Sequence, residues 1–197
     1  MAGATPTRAG RTLSAPWALV ALAGVVSVAL LALALQPGIA PAVAACRHAG
    51  AHPHEVGLPK LRRAITCLVN HRRARHDRRP LERNKRLKLA AQRHTETMLA
   101  QDCFRHRCAD EPGLNHRVKK TGYTTGWDAF QFAENLGYDN TPRQMVRRWI
   151  RSKFNRQNIL DPDFRDIGVG VDWGTPIATL DDSKFETYTV VFGWRRR

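Results

Sequence analysis

Apolar residues in the middle of the chain recur every three or four positions, which is the spacing of a buried helix face. From Leu58 this stripe includes Leu61, Ile65 and Leu68, and it predicts a first helix. Cys67 falls almost opposite the stripe. We therefore expect Cys67 to face away from the core. This position suits a disulfide with a cysteine outside the helix.

Capping residues mark further helix starts. Asn84 is a good N-cap for a second helix, whose inward face is predicted to contain Leu87, Ala91, His94 and Met98. A short third helix is expected over residues 112–121. In TPRQMVRRWI, Thr141 is the predicted N-cap, Pro142 the first helical residue and Gln144 the partner in a capping box. The buried face of this helix is predicted to comprise Met145, Val146, Trp149 and Ile150.

The pattern changes towards the C-terminus. The stretches DIGVGVDW and FETYTVVFGW are rich in β-branched and aromatic residues, which are enriched in strands. Helices that come first and strands that follow are typical of an α+β domain. We therefore predict helices packed on a mainly antiparallel sheet.

The first 45 residues have the order of a secretory signal. Arg8 and Arg11 come first, an uncharged apolar run follows over residues 15–35, and small residues end in PAVAAC. The run is long enough to span a bilayer, so an uncleaved membrane anchor is one alternative to a cleaved signal. A lipid attached to Cys46 is another. All three readings place the domain outside the cytoplasm. We predict a signal peptide over residues 1–45, an extended arm over 46–57 and one domain over 58–197.

Outside the cytoplasm, the 4 cysteines are expected to form two disulfides. Sequence distance favours a pair between Cys103 and Cys108 and another between Cys46 and Cys67. The first pair would restrain the loop that carries His106. The alternative is a zinc site of Cys103, His106 and Cys108, which lacks a second cysteine pair at ribbon spacing.

The chain is strongly basic, with a formal net charge of +15. Nine of the seventeen residues from 72 to 88 are Lys or Arg, and a second basic run covers residues 143–156. Such a surface attracts polyanions in a salt-dependent way. Because no aromatic residues alternate with the arginines and no nucleic-acid motif is present, we do not expect a nucleic-acid partner. An anionic cell-wall polymer or lipid head groups fit better, although we favour a compositional bias towards arginine and alanine, with incidental association with the cell wall, as the explanation of the charge. We expect a monomer.

Several stretches together resemble one family: ITCLVNHRRARHDRRPL, AAQRHTETMLAQDCFRH, AENLGYDNTPRQMVRRWIRS, NRQNILDPDFRDIGVGV and VVFGW. They are similar to the bacterial extracellular branch of the CAP superfamily, which includes cysteine-rich secretory, antigen 5 and pathogenesis-related proteins and is also called SCP-like. The resemblance runs in order over most of residues 58–194. It implies an α-β-α sandwich with a mainly antiparallel central sheet, and it marks residues 58–197 as a CAP domain.

The resemblance also implies a cleft. Its usual first histidine and first glutamate fall on His106 and Glu134, whereas its second glutamate and second histidine fall on Ser152 and Asn155. We expect these four residues to line one groove. One imidazole and one carboxylate give a metal only two strong ligands, and zinc normally needs three or four. The sequence therefore predicts a degenerate metal site, no cofactor and at most weak binding of a divalent metal.

These observations favour a secreted bacterial CAP-domain protein that acts as a non-catalytic binding module outside the cell or in its envelope, with an unknown ligand. The alternative is a peptidase-like hydrolase that uses His106 as a base oriented by Glu134. We do not expect enzyme activity, because the chain has no nucleophile motif such as G-x-S-x-G. His94, on the inward side of its helix, is interpreted as a hydrogen-bonded residue at the edge of the core.

Overall fold

The computed structural model describes residues 46–52 and 54–197, and the predicted signal peptide lies outside this range. Within the described residues, no helix has both the length and the apolar character needed to cross a membrane. The segment before the first helix was expected to be extended, but it forms turns. The amide of Ala49 donates to the carbonyl of Cys46 at 3.2 Å. Both residues are buried, so the turn holds Cys46 close to the core.

The described part of the chain contains five α-helices, and they are α1 Leu58–Ala74, α2 Lys85–Ala100, α3 Leu114–Lys120, α4 Pro142–Arg151 and α5 Lys153–Leu160. The predicted caps are confirmed: the Asn84 side chain accepts from the amide of Arg86, and the Thr141 hydroxyl accepts from the amide of Gln144. Helix α4 buries Met145, Val146 and Trp149 as predicted, while Ile150 is only partly buried. Helix α5 was not predicted.

Within residues 46–52 and 54–197, four strands form one sheet, and they are β1 Glu82–Arg83, β2 Ala129–Asp139, β3 Asp166–Trp173 and β4 Glu186–Arg196. A short 3₁₀ helix, Asp182–Lys184, precedes β4. The strand order is β1-β3-β4-β2, and only the short β1–β3 pair is parallel. The predicted mainly antiparallel sheet is confirmed. Strands β3 and β4 were predicted, but β2 was not.

Successive residues of β3 point to opposite faces of the sheet. Ile167, Val169 and Val171 pack in the larger core cluster with α1 and α4. Gly168 and Gly170 face α2 instead, and a Cβ atom on either glycine would overlap the α2 backbone. Helices therefore cover both faces, which confirms the α-β-α sandwich.

The disulfides join Cys46 to Cys67 and Cys103 to Cys108, the pairing favoured from the sequence. Cys67 was expected to face away from the core, but it is partly buried against it. The first bond therefore fastens the turn before α1 to the edge of the core.

One arginine of the basic run belongs to the interior. Arg73 is fully buried on α1, and its guanidinium donates to the carbonyls of Arg79, Ile159 and Asp161 at 2.7 to 2.8 Å. These bonds tie α1 to the end of α5. The charge count from the sequence therefore overstates the basic surface, because this side chain does not reach solvent.

Candidate functional site

The structure brings His106 and Glu134 together. His106 lies in the loop between α2 and α3 that the Cys103–Cys108 disulfide closes, and Glu134 lies in the middle of β2. The two are joined by Nδ1 of His106 and Oε1 of Glu134, which are 2.8 Å apart. The imidazole is 66% exposed while the carboxylate is only 2% exposed, so one partner faces solvent and the other does not. Because both cysteines are oxidised, neither offers the thiolate that the zinc alternative requires.

The carboxylate of Glu134 is also paired with a buried arginine. The Arg117 side chain on α3 donates from one terminal nitrogen to both carboxylate oxygens, at 2.8 and 3.1 Å. The same nitrogen donates to the carbonyl of His106 at 3.1 Å. A second nitrogen of Arg117 lies 3.5 Å from Oε1 of Glu111. Arg117 thus holds the loop, the strand and a further carboxylate in one arrangement.

His94 completes this cluster from α2. Its Nδ1 lies 2.7 and 2.9 Å from the two carboxylate oxygens of Glu111, and the ring is fully buried. Burial lowers the pKa of His94, although the charge of Glu134 opposes this shift. We therefore assign a neutral ring that donates from Nδ1 to Glu111, which leaves Nε2 as an acceptor. That Nε2 is buried, has no hydrogen-bond partner among the residues that the structure describes, and lies 3.9 Å from Oε1 of Glu134.

We refer to His94, Glu111, Arg117 and Glu134 as the buried polar cluster, with His106 at its exposed rim. Sequence reasoning placed His94 correctly at a buried position but missed Glu111 and Arg117. One signal was available for Arg117: it follows Leu114 at the i+3 position, next to the fully buried Val118, so it falls on the inward side of α3. No local pattern marks Glu111, which lies in a loop.

Ser152 and Asn155 lie at a different junction. Ser152 stands between α4 and α5, and the carbonyl of Asn155 accepts from the side chain of Asn135 at 3.0 Å. Among the described residues, no hydrogen bond or ion pair joins Ser152 or Asn155 to His106 or Glu134. Their predicted place in the groove therefore stays a prediction.

The donor set around Glu134 does not fit a zinc ion. Both carboxylate oxygens already accept from Arg117, and one also contacts His106. The guanidinium is always charged, so a second cation at this carboxylate would be repelled. His106 turns its Nδ1 towards Glu134, and only one other ring nitrogen is left to act as a ligand.

Another buried carboxyl lies at one end of the β2–β4 ladder. Glu186 is fully buried and pairs in register with Asp139. Its Oε2 accepts from the hydroxyl of Tyr188 at 3.1 Å, while Oε1 has no partner among the described residues. Desolvation by burial raises the pKa of Glu186 to about 8.

Comparison with known proteins agrees with this architecture. The sequence profile of the cysteine-rich secretory protein family, CAP, matches residues 67–191, which is well over half of the chain. The chain belongs to the CAP family. Its match to YkwD, an uncharacterized protein of Bacillus subtilis, is 28% identical over 109 residues and covers 54% of this CAP chain. The match spans only 40% of the length of YkwD.

Two solved structures share the fold. An outer surface protein of Borrelia burgdorferi has a TM-score of 0.59 at 15% identity, over 73% of this chain and 99% of that one. An extracellular protein of Bacillus anthracis that contains an SCP domain has a TM-score of 0.54 at 21% identity, over 72% of this chain and 44% of that one. At these identities the likeness concerns the fold alone.

Proposed function

We propose that this CAP-domain protein is a non-catalytic binding module that works outside the cell or in its envelope. The observation that carries the proposal is the pairing of Glu134 with Arg117. A carboxylate that is buried and neutralised by a permanent cation is poorly suited to serve as a metal ligand. The same carboxylate is engaged by His106, whose ring orientation it fixes.

The cluster is better suited to shape a surface than to perform a reaction. Buried charges are costly unless they are paired and hydrogen-bonded. Here each carboxylate has a cationic or imidazole partner, and the contacts link α2, the disulfide loop, α3 and β2. The cluster therefore holds the disulfide loop in a fixed position on the sheet.

Two observations support a location outside the cytoplasm. All four cysteines are oxidised in pairs, and disulfides persist mainly in oxidising compartments. One protein with the same fold is described as extracellular and another as an outer surface protein. The N-terminal residues with the order of a secretory signal agree with this location.

The ligand class that the charge favours is an extracellular polyanion. After Arg8 and Arg11 are set aside, residues 46–197 carry a formal charge of +13. Long-range attraction of this kind weakens as salt screens exposed charges. Anionic cell-wall polymers and lipid head groups meet this description.

A second candidate function is a hydrolase that uses His106 as a general base. The exposed imidazole with its Nδ1 held by a carboxylate at 2.8 Å is the observation that favours it. The remaining ring nitrogen of this exposed side chain is then the atom that accepts a proton from water. We rank this function second, because the same carboxylate is neutralised by Arg117.

The two functions differ in their dependence on His106. We expect the His106→Ala variant to bind an immobilised anionic polymer at low salt as well as the parent, and added salt to release both. The matched control is His116→Ala, another exposed histidine, on α3. Hydrolysis of a peptide or cell-wall substrate that is lost in His106→Ala but kept in His116→Ala would establish the hydrolase and refute the non-catalytic module.

A further inference from the structure

A groove of about 550 Å³ lies away from the buried polar cluster, at the outer edge of the sheet. Helix α1 forms one wall and the start of α2 forms the other, with β1 between them. Ile167 and Val169 of β3 line it from the sheet. The volume is within the range of pockets that bind small ligands, which is roughly 300 to 1,000 Å³.

The side chains around this groove carry only positive charge. Its cationic residues are Arg62, Arg63, Arg83, Lys85 and Lys88, and no aspartate or glutamate of the described residues lines it. In the described part of the chain, none of the five takes part in an ion pair. The positive charges in the groove are therefore not compensated by a contacting carboxylate.

Two features of the groove bear on hydrogen bonding. Arg62 lines the groove, and one of its terminal nitrogens donates to the side chain of Gln92 at 2.8 Å. Its Nε is buried and has no partner among the described residues, so one donor of this guanidinium is left unsatisfied. Arg62 is also held in place from the sheet, because its guanidinium reaches the carbonyl of Val171 at 3.4 Å.

The second feature is the open edge of β3. Ile167 is covered there by β1, since its carbonyl accepts from the amide of Asn84 at 2.9 Å. Val171 is covered by Gln92, which accepts from its amide at 3.1 Å. Backbone groups of alternate residues point to the same edge of a strand. Val169, which lies between these two residues, therefore presents its amide and carbonyl to the groove.

The arrangement of donors indicates the chemistry of the ligand. Five cations exceed what one anionic group can contact, so a ligand with repeated charges fits better than a single ion. Cationic side chains line the groove from α1, β1 and α2, and a tetrahedral phosphate accepts hydrogen bonds from several directions, whereas a planar carboxylate accepts them mainly in one plane. Arginine and lysine are both common partners of phosphate. Among the residues of the structure that line the groove, as far as the chain is described, none is aromatic, so these residues offer no platform on which nucleic-acid bases would stack.

We propose that the groove between α1 and α2 binds a segment of an aliphatic phosphodiester polymer. This site rests on the proposed function as a module for extracellular polyanions and specifies where the polymer lies. Arg62 and the Val169 amide bind one phosphate deep in the groove. Lys85, Lys88 and the exposed arginines contact the neighbouring phosphates along the chain.

The test compares two variants of equal charge. The groove variant combines Arg63→Gln, Arg83→Gln and Lys88→Gln, and the control variant combines Arg147→Gln, Arg151→Gln and Arg156→Gln on α4 and α5. All six residues are exposed, and each variant removes three positive charges. The probe is a fluorescent oligomer of glycerol phosphate, and its affinity is measured by fluorescence anisotropy over a range of salt concentrations. Thermal unfolding of both variants checks that they fold as the parent does.

We expect the groove variant to bind about tenfold or more weakly than the parent and the control variant to lose less than about threefold. The slope of log affinity against log salt should fall by about 2 in the groove variant, as the loss of three phosphate contacts predicts. Equal losses in both variants would overturn the groove while leaving the polyanion module in place. No binding by the parent at low salt would overturn both proposals.

Three further probes test the chemistry. Oligoglutamate of matched charge, single-stranded DNA and vesicles that contain phosphatidylglycerol should each bind more weakly than the glycerol phosphate oligomer. Equal or tighter binding of oligoglutamate would show a general anion site. Tighter binding of DNA, or binding to vesicles without binding to the soluble oligomer, would identify a different partner and refute the proposal.

Discussion

Replacement of Arg117 by methionine tests whether the buried polar cluster stabilises the fold. The Arg117 side chain is 6% exposed and donates to both oxygens of Glu134. Its loss would leave that carboxylate buried without a permanent counter-charge, and it would also remove the bond to the carbonyl of His106. Removal of one partner from a buried ion pair costs about 3–5 kcal/mol. For a domain of this size, that loss lowers Tm by about 6–20 °C.

The assay is equilibrium unfolding in urea of the parent, Arg117→Met, Glu134→Gln and the double variant. The double variant should regain part of the loss, because no uncompensated charge remains at position 134. The control is Arg93→Met, an exposed arginine on α2, which should change the free energy of unfolding by less than about 0.5 kcal/mol. A loss below about 1 kcal/mol in Arg117→Met, or no recovery in the double variant, would refute this account of the cluster.

Three other predictions concern stability. Because burial raises the pKa of Glu186 to about 8 from 4.5, its protonated form stabilises the fold fully below about pH 4.5. As pH rises towards 8, this contribution to the free energy of unfolding is lost by up to about 1.4 kcal/mol per pH unit. The free energy of unfolding of Glu186→Gln, measured in urea, should therefore fall less steeply with pH than that of the parent. Gly168→Ala should destabilise by about 1–3 kcal/mol in the same assay, because the new Cβ overlaps the backbone of α2. Loss of the Cys46–Cys67 disulfide in a double alanine variant should cost about 3 kcal/mol by the chain-entropy estimate for 21 residues, and a cost below about 1 kcal/mol would contradict it.

Much of the fold follows from local patterns. Helix α2 begins at its predicted cap, and α4 begins after Thr141, because a side-chain oxygen at each position accepts from a free amide of the first turn. Strands β3 and β4 carry β-branched residues that suit a sheet between two helical layers. In these elements, local preference and tertiary packing agree.

Two elements were not revealed by the sequence, and one of them, β2, carries Glu134. Strand β2 contains Glu134 and Asn135 at buried positions, so it lacks the apolar alternation that marks a strand. Helix α5 follows its N-cap residue Ser152, which makes no side-chain cap hydrogen bond, and the helix buries only Ile159. The sequence therefore contains neither a capping signal nor an apolar stripe that would predict this helix. Both elements depend on contacts with other parts of the fold.

The buried polar cluster was also hidden for a physical reason. Arg117 and Glu134 are 17 positions apart, and a charged residue in a sequence resembles solvated surface until its partner is known. The pair between His106 and Glu134 was predicted only through a family resemblance, since 28 positions separate the two residues. Pairing across such distances depends on the packing of α3 and the disulfide loop on β2.

Calorimetric titration of the purified protein with Zn²⁺ tests the central claim most directly, because the claim is that Arg117 already neutralises the carboxylate that a metal centre would need. We predict no one-to-one heat of binding for the parent, for His106→Ala or for the control His116→Ala. One-to-one zinc uptake by the parent and by His116→Ala that is lost in His106→Ala would contradict the claim and place a metal centre at His106 and Glu134.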